Sequence, residues 1–205
     1  MKLERHLVMF VKAPRLGAVK TRLAADIGMI EAWRFYRASV AGTLHRLGRD
    51  RRWRCWLCVT PDRFAYAWPR RLPRLPQGRG DLGMRMGRAM RNMPPGPVII
   101  IGGDIPEIDA ADIAQAFREL KRHDMVFGPA SDGGYWLIGA RRRPPPPGLF
   151  RNVRWSSRHA LADTMANLGP RCRTALLRQH DDIDTGGDYR RWRASNPTSH
   201  GIAHR

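Results

Sequence analysis

Three loops of this chain collect residues able to do chemistry on an anion. The first, Lys12-Ala-Pro-Arg-Leu-Gly-Ala-Val-Lys-Thr-Arg22, follows an apolar run and leads into helical patterning. Lys12, Lys20, Arg22 and the amides of a helix start therefore stand where a phosphate would lie. The spacing is that of a phosphate-binding loop, but Pro14 and Val19 occupy the two positions that require glycine, so it is not one; a solvated basic loop is the plainer alternative. The second feature is the placement of scarce acids. Gly102-Gly-Asp-Ile-Pro106 closes the most apolar run of the chain, and Asp181-Asp-Ile-Asp-Thr185 follows the last one. Hard cations such as Mg²⁺ take carboxylate oxygens together with substrate phosphates and water, and acids from two separate strand ends meet that need. Helix capping is the competing role, by Asp104 for the helix after Pro106 and by Asp182 or Asp184 for the last helix. In the third loop, Gly128-Pro-Ala-Ser-Asp-Gly-Gly-Tyr135, Gly133 and Gly134 let backbone approach a ligand closely, while the Asp-Gly pair is equally a hairpin signal. Asp132 is a candidate general base there, with a structural turn role as its alternative.

Such loops converge only if strands carry them to one edge of a sheet. An apolar strand over His6 to Val11 opens the chain, and apolar residues recur at three and four from Thr21 to Leu47, which predicts one long helix. A second strand covers Arg54 to Thr60, a short helix Leu82 to Met93, and Val98 to Ile101 reads as a central strand buried on both faces. A helix from Ala110 to Arg122, strands at Met125 and Tyr135, a helix capped by Ser156 or Ser157, a short strand at Ala175 and a last helix over Tyr189 to Ala194 complete the pattern. This alternation predicts an α/β fold of three layers, α/β/α, with a mostly parallel central sheet. In such sheets ligands bind at the carboxyl ends of the strands. A single domain over 1–196 and a frayed tail over 197–205 are expected, with Arg141 to Gly148, which holds four prolines, as a surface connection.

Composition narrows the function classes. At 205 residues with 42% hydrophobic positions the chain can build one sizeable core, and no apolar run approaches the ~18 residues of a membrane span. A cytoplasmic protein is expected. The net charge of +19 invites a nucleic-acid-binding reading, but all but four of the 37 basic residues are arginine, a skew that GC-rich codon usage produces unaided. The bases are dispersed in short runs, and most of the seven tryptophans fall in apolar or motif segments, which argues against specific nucleic-acid recognition. Cys55 and Cys58 have the spacing of a zinc half-site, yet a strand sends residues three apart to opposite faces and no second pair exists. Buried thiols are expected. His6, His45, His123 and His180 show no partner pattern.

In order along the chain, Lys12-Ala-Pro…Gly17-x-Val-Lys-Thr-Arg-Leu23, Gly103-Asp-Ile-Pro, Gly128-Pro-Ala-x-Asp-Gly-Gly-Tyr-x-Leu-Ile-Gly139, Trp155-Ser and Asp182-Ile-Asp-Thr…Asp188 resemble bacterial GT-A-type glycosyltransferases of the nucleotide-diphospho-sugar transferase superfamily. These include radical-SAM-associated and arsenosugar-type transferases. More distantly the chain is similar to guanylyltransferases acting on phospholactate or phosphoenolpyruvate. The resemblance implies a GT-A-like fold and a nucleotide-sugar or nucleoside triphosphate donor used on a small-molecule acceptor. It implies that Asp104, Asp182 and Asp184 hold Mg²⁺ or Mn²⁺. Lys12, Gly17, Lys20 and Arg22 would then lie near the nucleotide phosphates, and Gly80 and Asp81, within Gln77 to Gly83, against the base and ribose. Gly133, Gly134, Ser156, Ser157 and His159 would face the acceptor. The mechanism implied is metal-assisted displacement on a nucleotide-activated donor, as glycosyl transfer or, alternatively, as nucleotidyl transfer.

Overall fold

The computed structural model describes residues 3–141 and 146–196. The 197–205 tail and the middle of the proline-rich connection lie outside the described residues. Seven strands form one sheet in the order β3-β2-β1-β4-β6-β5-β7. They are β1 (His6–Lys12), β2 (Arg54–Thr60), β3 (Arg74–Pro76), β4 (Val98–Gly102), β5 (Met125–Pro129), β6 (Tyr135–Ala140) and β7 (Thr174–Leu176). β1 pairs in parallel with β2 and β4, β2 with β3, and β5 with β7. Only β6 runs against its neighbours, antiparallel to both β4 and β5.

Six helices flank the sheet: α1 (Thr21–Ile27), α2 (Met29–Leu47), α3 (Leu82–Asn92), α4 (Ala110–Glu119), α5 (Ala160–Ala166) and α6 (Gly186–Ser195). The strand period of two divides the core between the two faces. Leu7, Met9 and Val11 of β1, with Leu57 and Ile101, pack under Val40 and Leu44 of α2 and Ile113 and Phe117 of α4. Val8, Ile100 and Phe127 face Met86 and Met90 of α3, with Leu161 and Met165 of α5 against them. Both faces are covered, so Val98 to Ile101 form an unbroken apolar run. Cys55 belongs to the first face and Cys58 to the second, both free, as the strand argument requires.

Two expectations need correction. The helix expected from Thr21 to Leu47 breaks at Gly28, whose φ of 88° is readily adopted only by glycine, and Leu23 of α1 packs in one apolar cluster with Ala32 and Phe35 of α2. The helix expected from Ser156 or Ser157 starts later, after His159. Among the described residues no helix is long and apolar enough to cross a membrane.

Candidate functional site

β1 and β4 are parallel neighbours, so the loops that leave them emerge side by side at the carboxyl edge of the sheet. Close approach is built in at Gly103: a Cβ there would run into the side chain of Val11, and its N–H donates to the Phe10 carbonyl at 3.0 Å. Asp104 is thereby brought over the β1 loop. The Lys20 backbone lies in the left-handed region (φ 47°, ψ 46°) and opens α1. For a residue with a side chain that conformation costs about 1–2 kcal/mol and persists only when the surroundings impose it.

The Lys20 side chain accounts for the imposition. Its Nζ lies 2.9 Å from Asp104 Oδ2 and 2.9 Å from Asp184 Oδ1, and the side chain is only 4% exposed. Burial works against its charge, but Asp104, Asp182 and Asp184 outweigh it and raise its pKa above the ordinary lysine range. Asp182 lies in the same group, and its Oδ1 is buried with no hydrogen-bond partner among the described residues. Burial first, then the charge of Asp104, pushes its carboxyl up to about 7 against the pull of Lys20. Tyr36 braces the β1 loop, donating to the Lys12 carbonyl at 2.8 Å and accepting from the Lys12 N–H at 2.9 Å.

These residues border a cleft of about 350 Å³, with Lys12, Lys20, Arg22, Asp104, Asp182 and Asp184 all on its wall. None of the three aspartates caps a helix. Asp109 caps α4 in a capping box with Asp112, and Thr185 caps α6 in another with Asp188. Gln77 and Arg85 join the wall. Gln77 is buried, and its Nε2 donates to the carbonyls of Cys58 (2.9 Å) and Val11 (3.2 Å), tying the ends of β1 and β2 together. Arg85 donates from Nε to the Gly80 carbonyl at 2.8 Å.

The other sequence-predicted residues do not line this cleft. Gly17 turns the β1 loop at φ 75°. Gly80 takes φ 104°, and the Asp81 side chain caps α3 by accepting from the Met84 N–H at 2.8 Å. Asp132 accepts from the Gly134 N–H at 2.8 Å inside the β5–β6 turn, yet it is near enough for its charge to help raise the Asp182 pKa. Gly133, at φ 82°, packs on the chain before α5: a Cβ there would meet the Arg158 carbonyl, and the Gly133 carbonyl accepts from the Leu161 N–H at 3.0 Å. Ser157 Oγ donates to the Arg154 carbonyl at 2.6 Å and accepts from the His159 N–H at 3.2 Å, while Ser156 is exposed at φ 56°.

An anchor that sequence reasoning missed fixes the segment carrying Asp182 and Asp184. Asp112, 3% exposed, accepts two bonds from Arg178 (2.6 and 2.9 Å) and lies 3.0 Å from His180 Nε2. His180 Nδ1 is 3.5 Å from Glu107, and its ring stands edge-on to Trp136. Burial alone would raise the Asp112 pKa, but the bonds from His180 and Arg178 hold it well below the carboxylate range. The sole hint in the sequence is an acid at the third helical position after Asp109, which reads as capping alone. From the far side, Asp26 of α1 accepts from the Gly186 N–H at 2.6 Å, and Tyr189 donates to Glu31 at 3.2 Å.

Among the described residues no three metal-ligating side chains stand in a ready-made ion-holding arrangement. The donor set nevertheless suits a hard divalent cation: three carboxylates with one orphaned buried oxygen, at the wall of a cleft whose other side is basic.

The fold is that of the nucleotide-diphospho-sugar transferases. A putative nucleotide-diphospho-sugar transferase from Desulfovibrio desulfuricans G20 has a TM-score of 0.82 and 28% identity, over 96% of this chain and 89% of that one. The manganese complex of Rv0371c from Mycobacterium tuberculosis H37Rv shares the fold at a TM-score of 0.52 and 15% identity, over 92% of this chain and 97% of that one. The chain belongs to the bacterial family described as "Uncharacterized protein conserved in bacteria (DUF2064)", matched over residues 43–157. It is also 33% identical over 141 residues to a 3-phospho-D-glycerate guanylyltransferase from Phenylobacterium zucineum (strain HLK1). That match covers 63% of this chain and 64% of the relative, just under two thirds of its length.

Proposed function

We propose that this chain is a metal-assisted nucleotidyltransferase that moves a nucleoside monophosphate from a nucleoside triphosphate onto a small phosphorylated acid. The observation that carries the reading is the edge cleft in which Lys20 is held between Asp104 and Asp184, with the unpartnered Asp182 oxygen beside them and Arg22 and Arg85 on the same wall. The likeness to a guanylyltransferase acting on 3-phospho-D-glycerate supports nucleotidyl over glycosyl transfer and suggests GTP as the first donor to try. A nucleoside triphosphate donor also argues for work in the cytoplasm, where such donors are made.

In this reaction an acceptor phosphate oxygen attacks the α-phosphorus, a new P–O bond forms, and the bond to the β-phosphate bridging oxygen breaks with release of pyrophosphate. The exposed Arg22 and the half-buried Arg85 bind and orient the triphosphate, their guanidinium groups matching phosphate oxygens in planar pairs. Lys20 adds an ammonium at the start of α1, where charge on the departing phosphates grows. Asp104, Asp182 and Asp184 would hold Mg²⁺ or Mn²⁺, which would neutralise charge on the phosphates. An acceptor phosphate is largely dianionic at neutral pH and attacks without a base; for a hydroxyl acceptor, Asp132 is the candidate base. We assign Gly80 and Asp81, with Gln77, to the base and ribose side, and Gly133 and Gly134 of the β5–β6 turn, with Ser156, Ser157 and His159 ahead of α5, to the acceptor side.

The test is product analysis. Each nucleoside triphosphate is incubated with 3-phosphoglycerate or another phosphorylated acid and with Mg²⁺ or Mn²⁺, the latter because a fold relative is a manganese complex. Pyrophosphate and a nucleotide-capped acid are expected. Free nucleoside diphosphate made from a nucleotide-sugar, without pyrophosphate in any combination, would replace nucleotidyl with glycosyl transfer.

A further inference from the structure

We propose that Lys20 is the resident counter-cation of the site, and that a divalent ion gains the carboxylates only when nucleotide phosphates draw the Lys20 ammonium away. The inference rests on the proposed function and deepens it: binding of the cation is coupled to binding of the nucleotide.

Three observations carry it. The Lys20 ammonium already contacts the two outer carboxylates at equal distances of 2.9 Å, the place where a shared cation would bind. An ammonium and a dication cannot both hold those oxygens, since their mutual repulsion in a half-buried site is large. The carboxylates as they stand, gathered around the lysine, do not present an ion-holding group among the described residues, although Asp182 keeps an oxygen without a partner. The third observation is the strained backbone. With the ammonium tied down, Lys20 sits in the left-handed region at the helix start, a conformation its side-chain contacts must help to maintain. Release toward phosphates in the same cleft removes that tether, and Arg22 and Arg85 stand on the same wall to bind the triphosphate in the first place. Linkage then makes the coupling reciprocal: whatever the nucleotide adds to cation affinity, the cation adds to nucleotide affinity, typically on the order of 5–150-fold.

The first experiment measures binding of Mn²⁺ alone by the electron paramagnetic resonance of the free ion, for the native protein, Lys20→Met and Arg15→Met. Arg15→Met removes equal charge from the same loop without touching the carboxylates. Lys20→Met is expected to bind nucleotide-free Mn²⁺ about tenfold tighter or better, and its melting temperature to respond more to Mn²⁺, while Arg15→Met stays near the native value. The second uses the unmodified protein, so it stands even if Lys20→Met does not fold. With only four lysines in the chain, the Lys20 ammonium resonance can be followed by nitrogen-15 NMR. Mg²⁺ alone should leave it in place, and Mg²⁺ with GTP should shift it and speed its exchange with water. Mn²⁺ affinity unchanged in Lys20→Met, or raised no more than in Arg15→Met, overturns the inference, as does an unmoved Lys20 signal while GTP and metal bind; either leaves the nucleotidyltransferase reading intact. Absence of metal binding by the native protein even with GTP overturns both.

Discussion

Replacing Asp112 by alanine tests whether the last loop is held from α4. The carboxylate accepts from Arg178 twice, from His180 and from the Asp109 N–H, which closes the capping box. These losses are unequal. Arg178 is 55% exposed, so its charge regains water once freed and its two bonds return little net energy. His180 is 5% exposed and is left with a buried polar nitrogen facing a cavity, a cost of about 1–3 kcal/mol. Loss of the box adds about 1 kcal/mol, and the better helix propensity of alanine returns about 0.5 kcal/mol. A net loss of about 1.5–3.5 kcal/mol corresponds, at this size, to roughly 3–14 °C in melting temperature. Circular dichroism melts and urea titrations read it. Because the folded-state pKa of Asp112 is depressed, its contribution is present above the unfolded carboxylate pKa of about 4 and is lost as pH falls below that. The native protein should therefore lose stability below about pH 4 more steeply than Asp112→Ala. A variant that melts within ~2 °C of the native protein at pH 7, with the same acid limb, would refute the anchoring argument.

Arg22→Ala should weaken nucleotide binding by roughly tenfold or more in calorimetry while leaving the melting temperature within ~2 °C, because the side chain is exposed and is proposed to bind phosphate; Arg85→Ala should weaken it similarly, with a further loss of stability because the half-buried Arg85 also donates to the Gly80 carbonyl. Gly133→Ala should cost at least about 2 kcal/mol, since it forces a side chain into the φ 82° region and against the Arg158 carbonyl, and a chemical denaturation curve will show it. Burial pushes the thiols of Cys55 and Cys58 up to about 12, so both should resist iodoacetamide at pH 8 in the folded protein, with Cys172 modified first in a mass spectrum. Binding to duplex DNA should be weak, independent of sequence and steeply lost between low and physiological salt, while nucleotide binding with metal survives; sequence-selective binding that persists at high salt contradicts this.

The strands were legible because burial on both faces writes Val-Ile-Leu runs that few other structures need; the caps of α3 and α4, Asp81 and Asp109, were not, Asp104 being the candidate the sequence offered for the helix after Pro106. Direction was not written in those runs, and for β6 the Asp-Gly pair left a hairpin as one of two readings. The loop of five residues between Pro129 and Tyr135 held the answer, since a parallel return needs a crossover of a dozen residues or more. Gly28 was hidden by an apolar stripe that continues across the break, and β3 by its length of three residues ending in a proline. At the site, the residue types and loops could be read from position alone. The pairing of Lys20 with Asp184, and the salt bridge from Asp112 to Arg178, could not, because contacts 164 and 66 residues apart leave no local pattern.

That separation also bears on how the protein is made. Lys20 is synthesised early, and at 5–20 residues per second its partner Asp184 follows roughly 8–30 s later. Through that interval the nascent chain holds β1, the Lys20 loop and, after a time, Asp104, but neither late carboxylate. Asp26 likewise waits for Gly186 and Glu31 for Tyr189. The cleft is thus assembled from segments made far apart in time, and under the proposed function a growing chain gains its site for metal and nucleotide only once α6 has begun to dock.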